Sequence, residues 1–249
     1  MSRRARLGLF ALTGPLLMAV LVLGFRGLPG FGGYRGVYGF IINGVELGER
    51  HATDMVTALN FDLRAFDTLG EEYILFASVV GVAVLMRLVR AGEDRASSPE
   101  EHRFANASDA VRVLSLVLMP LLLALGVYVV IHGALTPGGG FQGGLVLAAG
   151  PLALLLAGRY LALRHLAPDW VLEALETIGA GGYALLGLAG LIFAGVYLKN
   201  FLALGIPGHL LSAGMMPLNS IAVGLEVMGA FLLVWTEFLD QSLIEARES

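Results

Sequence analysis

The sequence contains no cysteine. That excludes a disulfide framework, thiolate metal ligation and a cysteine-held iron–sulfur cluster. Any redox chemistry in an assembly containing this chain is carried by another subunit. Charge is scarce as well. Only 14% of the 249 residues are Asp, Glu, Lys or Arg, where soluble domains carry about 25%. With 57% hydrophobic residues and a mean hydropathy of +0.77, the deficit points to an integral membrane protein. The net charge of −4 comes without any basic run interleaved with aromatics, so no nucleic-acid partner is expected. His51, His102, His132, His165 and His209 show no ligand spacing within a helix. Neither a metal site nor a haem or other cofactor is therefore expected. A nucleophile elbow and a phosphate-cradling loop followed by lysine are both missing, so the chain reads as a non-enzyme.

What is abundant is apolar length. Six runs, roughly 7–25, 69–90, 109–132, 141–163, 171–198 and 215–239, each approach the ~20 residues a helix needs to cross the hydrocarbon core. The expected fold is all-α and polytopic, with six transmembrane helices. The first run also resembles a secretory signal, but it is long for one and no small-x-small cleavage site follows it. With the N terminus in the cytoplasm, 11 of the 16 Lys and Arg residues fall on inside segments and 5 outside, which follows the positive-inside rule. Both termini are then cytoplasmic, in the cell membrane. The polar segment 90–110, "RAGEDRASSPEEHRFANASDA", divides a two-helix unit (1–95) from a four-helix unit (106–249), with 96–105 as linker.

The loop "HGALTPGGGFQGG" (132–144) separates two apolar runs. A helix ending near His132 is expected, with Gly133 in the left-handed position that closes helices. Pro137 cannot continue a helix, and Gly138, Gly139 and Gly140 permit positive φ and close backbone approach. Gly143 and Gly144 would fall in the first turn of the next helix, where small residues let helices touch, with Phe141 and Gln142 between. Upstream, "HATDMVTALNFDLRAF" (51–66) reads as a short amphipathic helix lying along the membrane surface. Asp67, Thr68 and Glu71 read as a capping box before the second run, and Ser108 or Asp109 as the N-cap of the third.

Ionisable groups at membrane depth are costly and therefore informative. Glu226 lies near the middle of the sixth run. Asn219 and Glu237 share its helical face, at separations from Asn219 of 7 and 18 residues, which are close to whole turns. Glu173 and Glu176 lie one turn apart in the fifth run, with Tyr183 two turns further on. These residues read either as an ion path, in which a buried carboxyl binds and releases a proton or cation, or as polar contacts that dock neighbouring helices. His132 is a candidate orienting donor or outer-face proton group.

The glycine loop, together with "ALETIGAGGYALLGLAGLIFAGVYLKNFLALG" and "LLSAGMMPLNSIAVGLEV", resembles the MnhB family, the B subunit of Mrp-type multisubunit sodium/proton antiporters. The resemblance covers roughly 106–240. It implies that His132 and Pro137 through Gly144 form a family signature, and that Glu176, Asn200, Ser212, Gly214, Pro217, Asn219 and Glu226 stand at recurrent positions. Ala203 departs from an expected proline, and Lys199 beside Asn200 is unusual. "DLRAFDTLGEE" resembles an element found at the C-terminal end of the antiporter A subunit, or in the small E-type subunit of membrane-bound hydrogenases. Asp62, Arg64, Asp67, Thr68 and Glu71 carry that likeness, while Leu63 and Ala65 depart. The resemblance implies an accessory subunit moving sodium and protons beside other membrane subunits, in contact with lipid. A membrane-arm subunit of an energy-converting hydrogenase or other complex I-like redox assembly, and a purely structural docking subunit, are the competing readings.

Overall fold

The computed structural model describes residues 3–28, 36–91, 107–157 and 160–248. The linker expected at 96–105 lies outside them. The described residues form helices joined by turns, with no strand among them. The chain divides into two compact units, Met1–Phe40 and Ile41–Ser249. The first holds α1 (Arg3–Arg26), whose Leu12, Leu16 and Phe25 are exposed. α2 (Val37–Val45) begins at the end of that unit and continues into the second.

In the second unit, α2 leads into a π-helical turn, Glu46–Arg50, then α3 (Met55–Ala58) and a second π-helical turn, Leu59–Leu63. The longer elements follow: α4 (Ala65–Ala91), α5 (Asp109–Ile131), α6 (Gly140–Leu156), α7 (Tyr160–Leu166), α8 (Asp169–Ala194) and α9 (Met216–Glu248). Four stretches are long and apolar enough to cross a membrane: Ala65–Met86, Asp109–Ile131, Asp169–Ala194 and Met216–Leu239. Those in α1 and α6 are shorter. The fourth apolar run is not one helix: α6 stops at Leu156 and α7 starts at Tyr160. Ser108 caps α5 as expected, its side chain accepting from the Val111 amide.

α9 is the centre. It packs against α4, α5, α6 and α8, and 61% of its apolar stretch is buried, against 17% for those of α4 and α5. The outer faces are greasy: Ile74, Ile192 and Phe193 are each at least 69% exposed. In lipid such faces cost nothing, and apolar area gives helices no reason to associate there, so close van der Waals packing must hold the bundle. Glycines supply it. A Cβ on Gly144 of α6 would sit 2.8 Å from the Gly224 carbonyl and from Val227 Cβ on α9. Gly140 meets Ser220 and Val223 of α9, and Gly143 meets Val130 of α5, more closely still. The expected first-turn glycines thus wedge α6 between α5 and α9.

Three local expectations are corrected. Gly139, not Gly133, takes positive φ (120°) in the glycine loop; Gly133 is needed because a Cβ there would lie 2.7 Å from Gly139 Cα. Thr68 does not begin a helix. α4 starts at Ala65, and the Thr68 hydroxyl donates to the Asn60 carbonyl at 2.7 Å. The 51–66 segment is not an amphipathic helix lying on a surface. It folds inward, with Ala52, Asp54, Thr57, Ala58 and Phe61 buried, because its polar groups find backbone partners inside. Thr53 and Asp54 amides donate to the Ala134 carbonyl, the Thr57 hydroxyl donates to the Gly133 carbonyl at 2.6 Å, and Asn219 Nδ2 donates to the Phe61 carbonyl at 3.3 Å.

Candidate functional site

α9 presents a polar face into the bundle. Asn219, Ser220, Glu226, Thr236 and Glu237 are all buried. Ser220 donates across to the Val130 carbonyl of α5 at 2.7 Å and Thr236 to the Leu233 carbonyl of its own helix at 2.9 Å, so both hydroxyls are satisfied. Glu226 is different. It is fully buried, and its carboxyl meets that of Glu72 on α4 and faces the charge of Glu176 on α8. Although the two carboxyls touch, neither Glu226 oxygen has a partner in regular hydrogen-bond geometry, and Glu72 Oε2 and Glu176 Oε1 are likewise unpartnered. Two buried carboxyls in contact cannot both stay charged without a counter-ion.

The seam that creates this series is built from small residues. Gly179 of α8 lies opposite Glu226, where a Cβ would come within 2.6 Å of Glu226 Cβ. Gly229 of α9 lies opposite Glu176, where a Cβ would come within 2.7 Å of the Glu176 amide. Each glutamate thus stands against a glycine of the facing helix, which lets the two backbones approach closely. Glu173, half-buried, adds a further negative charge beside Glu176. Tyr183, fully buried on α8, donates to the Ala65 carbonyl at 3.0 Å and packs on Phe61, tying α8 to the start of α4.

Beside Glu72 a cavity of about 270 Å³ opens, room for several waters. Its lining includes Asn60, Thr68, Glu71 and Glu72 on one side and Gly138 through Gln142 on the other. The glycine loop and the "DLRAFDTLGEE" element, far apart in sequence, therefore form one site. Glu71 is exposed and Glu72 buried.

Other expected residues do different work. Asp62 pairs with Arg50, joining the two π-helical turns. Burial pushes the Asp62 carboxyl above its usual range, with Arg50 pulling the other way. Arg64 pairs with Asp67 one turn on. His132 stacks on Tyr128 at 4.1 Å, and its Nδ1 lies 3.1 Å from the Tyr128 carbonyl of its own helix, so it is held outside the carboxyl series. Glu237 is buried further along α9 and is engaged with other groups. Asn200 staples the loop before α9, donating to the Ala213 carbonyl at 3.0 Å and accepting from the Met215 amide at 2.9 Å. Gly214, at φ +61°, packs against it.

Sequence reasoning missed Glu72. The signal was there in helical phase: among the described residues of α4, Ala65, Thr68, Glu72, Val79 and Ala83 are buried, and their spacing follows the 3.6-residue period of one face.

Residues 110–233 match the model of a domain related to the MnhB subunit of Na+/H+ antiporters. An uncharacterized protein of Methanocaldococcus jannaschii is 32% identical over 237 residues, covering 83% of this chain and 87% of that protein. A chain of the membrane-bound sulfane sulfur reductase, an archaeal respiratory membrane complex, superposes with a TM-score of 0.69 at 29% identity, covering 94% of this chain and 98% of its own length. A chain of the Mrp complex from Dietzia sp. superposes with a TM-score of 0.65 at 24% identity. That match covers 95% of this chain but 26% of the other, so the shared fold is there one part of a much longer chain.

Proposed function

Since the chain belongs to the MnhB family, we propose that it is a membrane subunit of an Mrp-like multisubunit complex, and that it carries part of an ion path for cation/proton antiport. Its six apolar segments are read as six spans with both termini in the cytoplasm, an orientation supported by the Lys and Arg asymmetry. The ions are protons and sodium, and the chemistry of energy input belongs to partner chains.

The observation that carries the reading is the contact of Glu72 with Glu226, continued toward Glu176. Unpartnered carboxyl oxygens of α4, α8 and α9 lie buried within the bundle. A docking role alone would favour pairing each acid with a donor, because an unsatisfied buried polar group is costly. Acids without donors suit a group that binds and releases a positive charge.

The test is Glu226→Gln in everted vesicles carrying the whole complex, with assembly checked on a native gel. Antiport should fall at least about tenfold, corresponding to ~1.4 kcal/mol on the limiting barrier, with assembly intact. Unchanged antiport would remove Glu226 from the path, and loss of assembly would assign it to docking.

A second reading is a subunit of a redox-driven respiratory complex. What favours it is the match, nearly end to end, with a chain of the sulfane sulfur reductase complex. Co-purification with cofactor-bearing subunits would select it, and the same carboxyl series would serve ion movement there.

A further inference from the structure

We infer that the groove between α4 and α9 is a binding site for one hydrocarbon chain of a membrane phospholipid. The inference goes beyond the ion-path reading and stands without it. A cavity of about 470 Å³ lies between the two helices, within the range of sites that hold small ligands (~300–1,000 Å³). Its walls run from Leu75 to Val82 on α4 and from Ala230 to Phe238 on α9, about 12 Å along the axis of α9 at ~1.5 Å per residue. Only Ser78 and Trp235 bring polar side-chain atoms to it. The Ser78 hydroxyl is spent on the Ile74 carbonyl of its own helix, at 2.7 Å. Walls without free hydrogen-bonding groups along their length have nothing to orient a polar ligand, and they suit hydrocarbon.

Size selects the occupant. A transmembrane helix is about 10–12 Å across with its side chains, and over this length it fills on the order of 1,000 Å³, roughly twice the space present. A lipid chain is thinner and flexible, and follows the groove. Left empty, the lining would forfeit its dispersion contacts on one side, and such contacts are what hold helices together in lipid. The polar end of the site is marked by Trp235. It lines the groove, is half-exposed, and has no hydrogen-bond partner for its indole N–H among the described residues. It stands about 6 Å before the end of the α9 span at Leu239, the level at which Trp meets lipid headgroups. There the N–H donates to an ester or phosphate oxygen of the lipid. The other end of the groove lies close to the acids: Leu75 is one turn beyond Glu72, and Ala230 one turn beyond Glu226. A chain seated here covers the α4–α9 seam with hydrocarbon just past the carboxyl pair.

The test uses the purified whole complex, reconstituted into phosphatidylcholine–phosphatidylglycerol vesicles that contain a phospholipid with a diazirine at mid-chain. The complex is re-extracted, washed in detergent, irradiated and read by peptide mass spectrometry. Label should survive the wash on the groove-lining peptides of α4 and α9, be displaced by excess unlabelled phospholipid, and be missing from the exposed face of α5 around Leu121. Val82→Trp, which fills the groove, should cut the retained label at least about fivefold. Trp235→Phe keeps the ring and removes the N–H, and should raise the phospholipid concentration for half-labelling several-fold. Label spread equally over α4, α5 and α9, label lost in the wash, or label unmoved by Val82→Trp would overturn the site. Should Val82→Trp fail to assemble, Trp235→Phe decides, and an unchanged half-labelling concentration would overturn it. A benzophenone amino acid at Phe238, irradiated in native membranes, reads the other occupants. Lipid adducts are expected; an adduct with another subunit, a second copy or another segment of this chain would overturn the site.

Discussion

At the residue scale, Glu226 and Glu72 meet carboxyl to carboxyl. On the proposed ion path the two acids act on one positive charge, so either one alone keeps its burial but loses its partner in that step. Glu72→Gln and Glu226→Gln should therefore each slow transport, and the double substitution should cost little more than either alone, since residues acting as a unit are non-additive. Transport rates of the three variants check this; multiplicative losses would mean the two acids act separately. Hydrogen bonds to buried carbonyls give a different kind of prediction. Thr57→Val leaves the Gly133 carbonyl without its 2.6 Å donor and should cost about 1–3 kcal/mol, seen as a lower melting temperature. At this scale Glu226 was legible from sequence, because a lone mid-span acid stands out. Glu72 was not. It sits beside Glu71, at the end of a polar stretch, and only the face it shares with Ala65, Val79 and Ala83 separates the buried acid from the exposed one.

At the scale of elements, glycine decides which helices touch. Gly144→Ala puts a methyl 2.8 Å from α9 backbone, which cannot yield as a flexible side chain would. The α6–α9 seam should open, and the melting temperature of the chain in detergent should drop. Gly181→Ala, on the same scale of change, meets nothing within 4 Å and should be neutral or gain up to about 1 kcal/mol of helix propensity. Equal effects from the two would contradict glycine-mediated packing. The sequence made the α5 stop, the wedge of Gly143 and Gly144, and the cap at Ser108 readable, because each follows from local backbone chemistry. It did not make the inward fold of 51–66 readable. That segment is set by carbonyls of Gly133, Ala134 and Leu135, about 80 residues away in the chain, and amphipathic spacing alone cannot tell a surface of lipid from a groove of protein.

For the whole molecule, the exposed apolar faces of α5 and α8 need lipid or partner helices to cover them. The chain should co-purify from gently solubilised membranes with other membrane subunits. The antiporter reading expects antiporter-type partners and no cofactor absorbance in that preparation; iron–sulfur or nickel–iron subunits would move the chain to the redox-driven assembly. The membership in the MnhB family and the helical membrane architecture were both legible in the sequence, the first from the glycine loop and the second from apolar length. The union of that loop with the "DLRAFDTLGEE" element in one cavity was not, since no local rule relates two segments more than sixty residues apart.

The most direct measurement is sodium-driven proton movement in proteoliposomes of the purified complex carrying Glu72→Gln, beside wild type. The buried carboxyl series predicts a fall of at least about tenfold in a complex that still assembles. A wild-type rate from an assembled Glu72→Gln complex would contradict it.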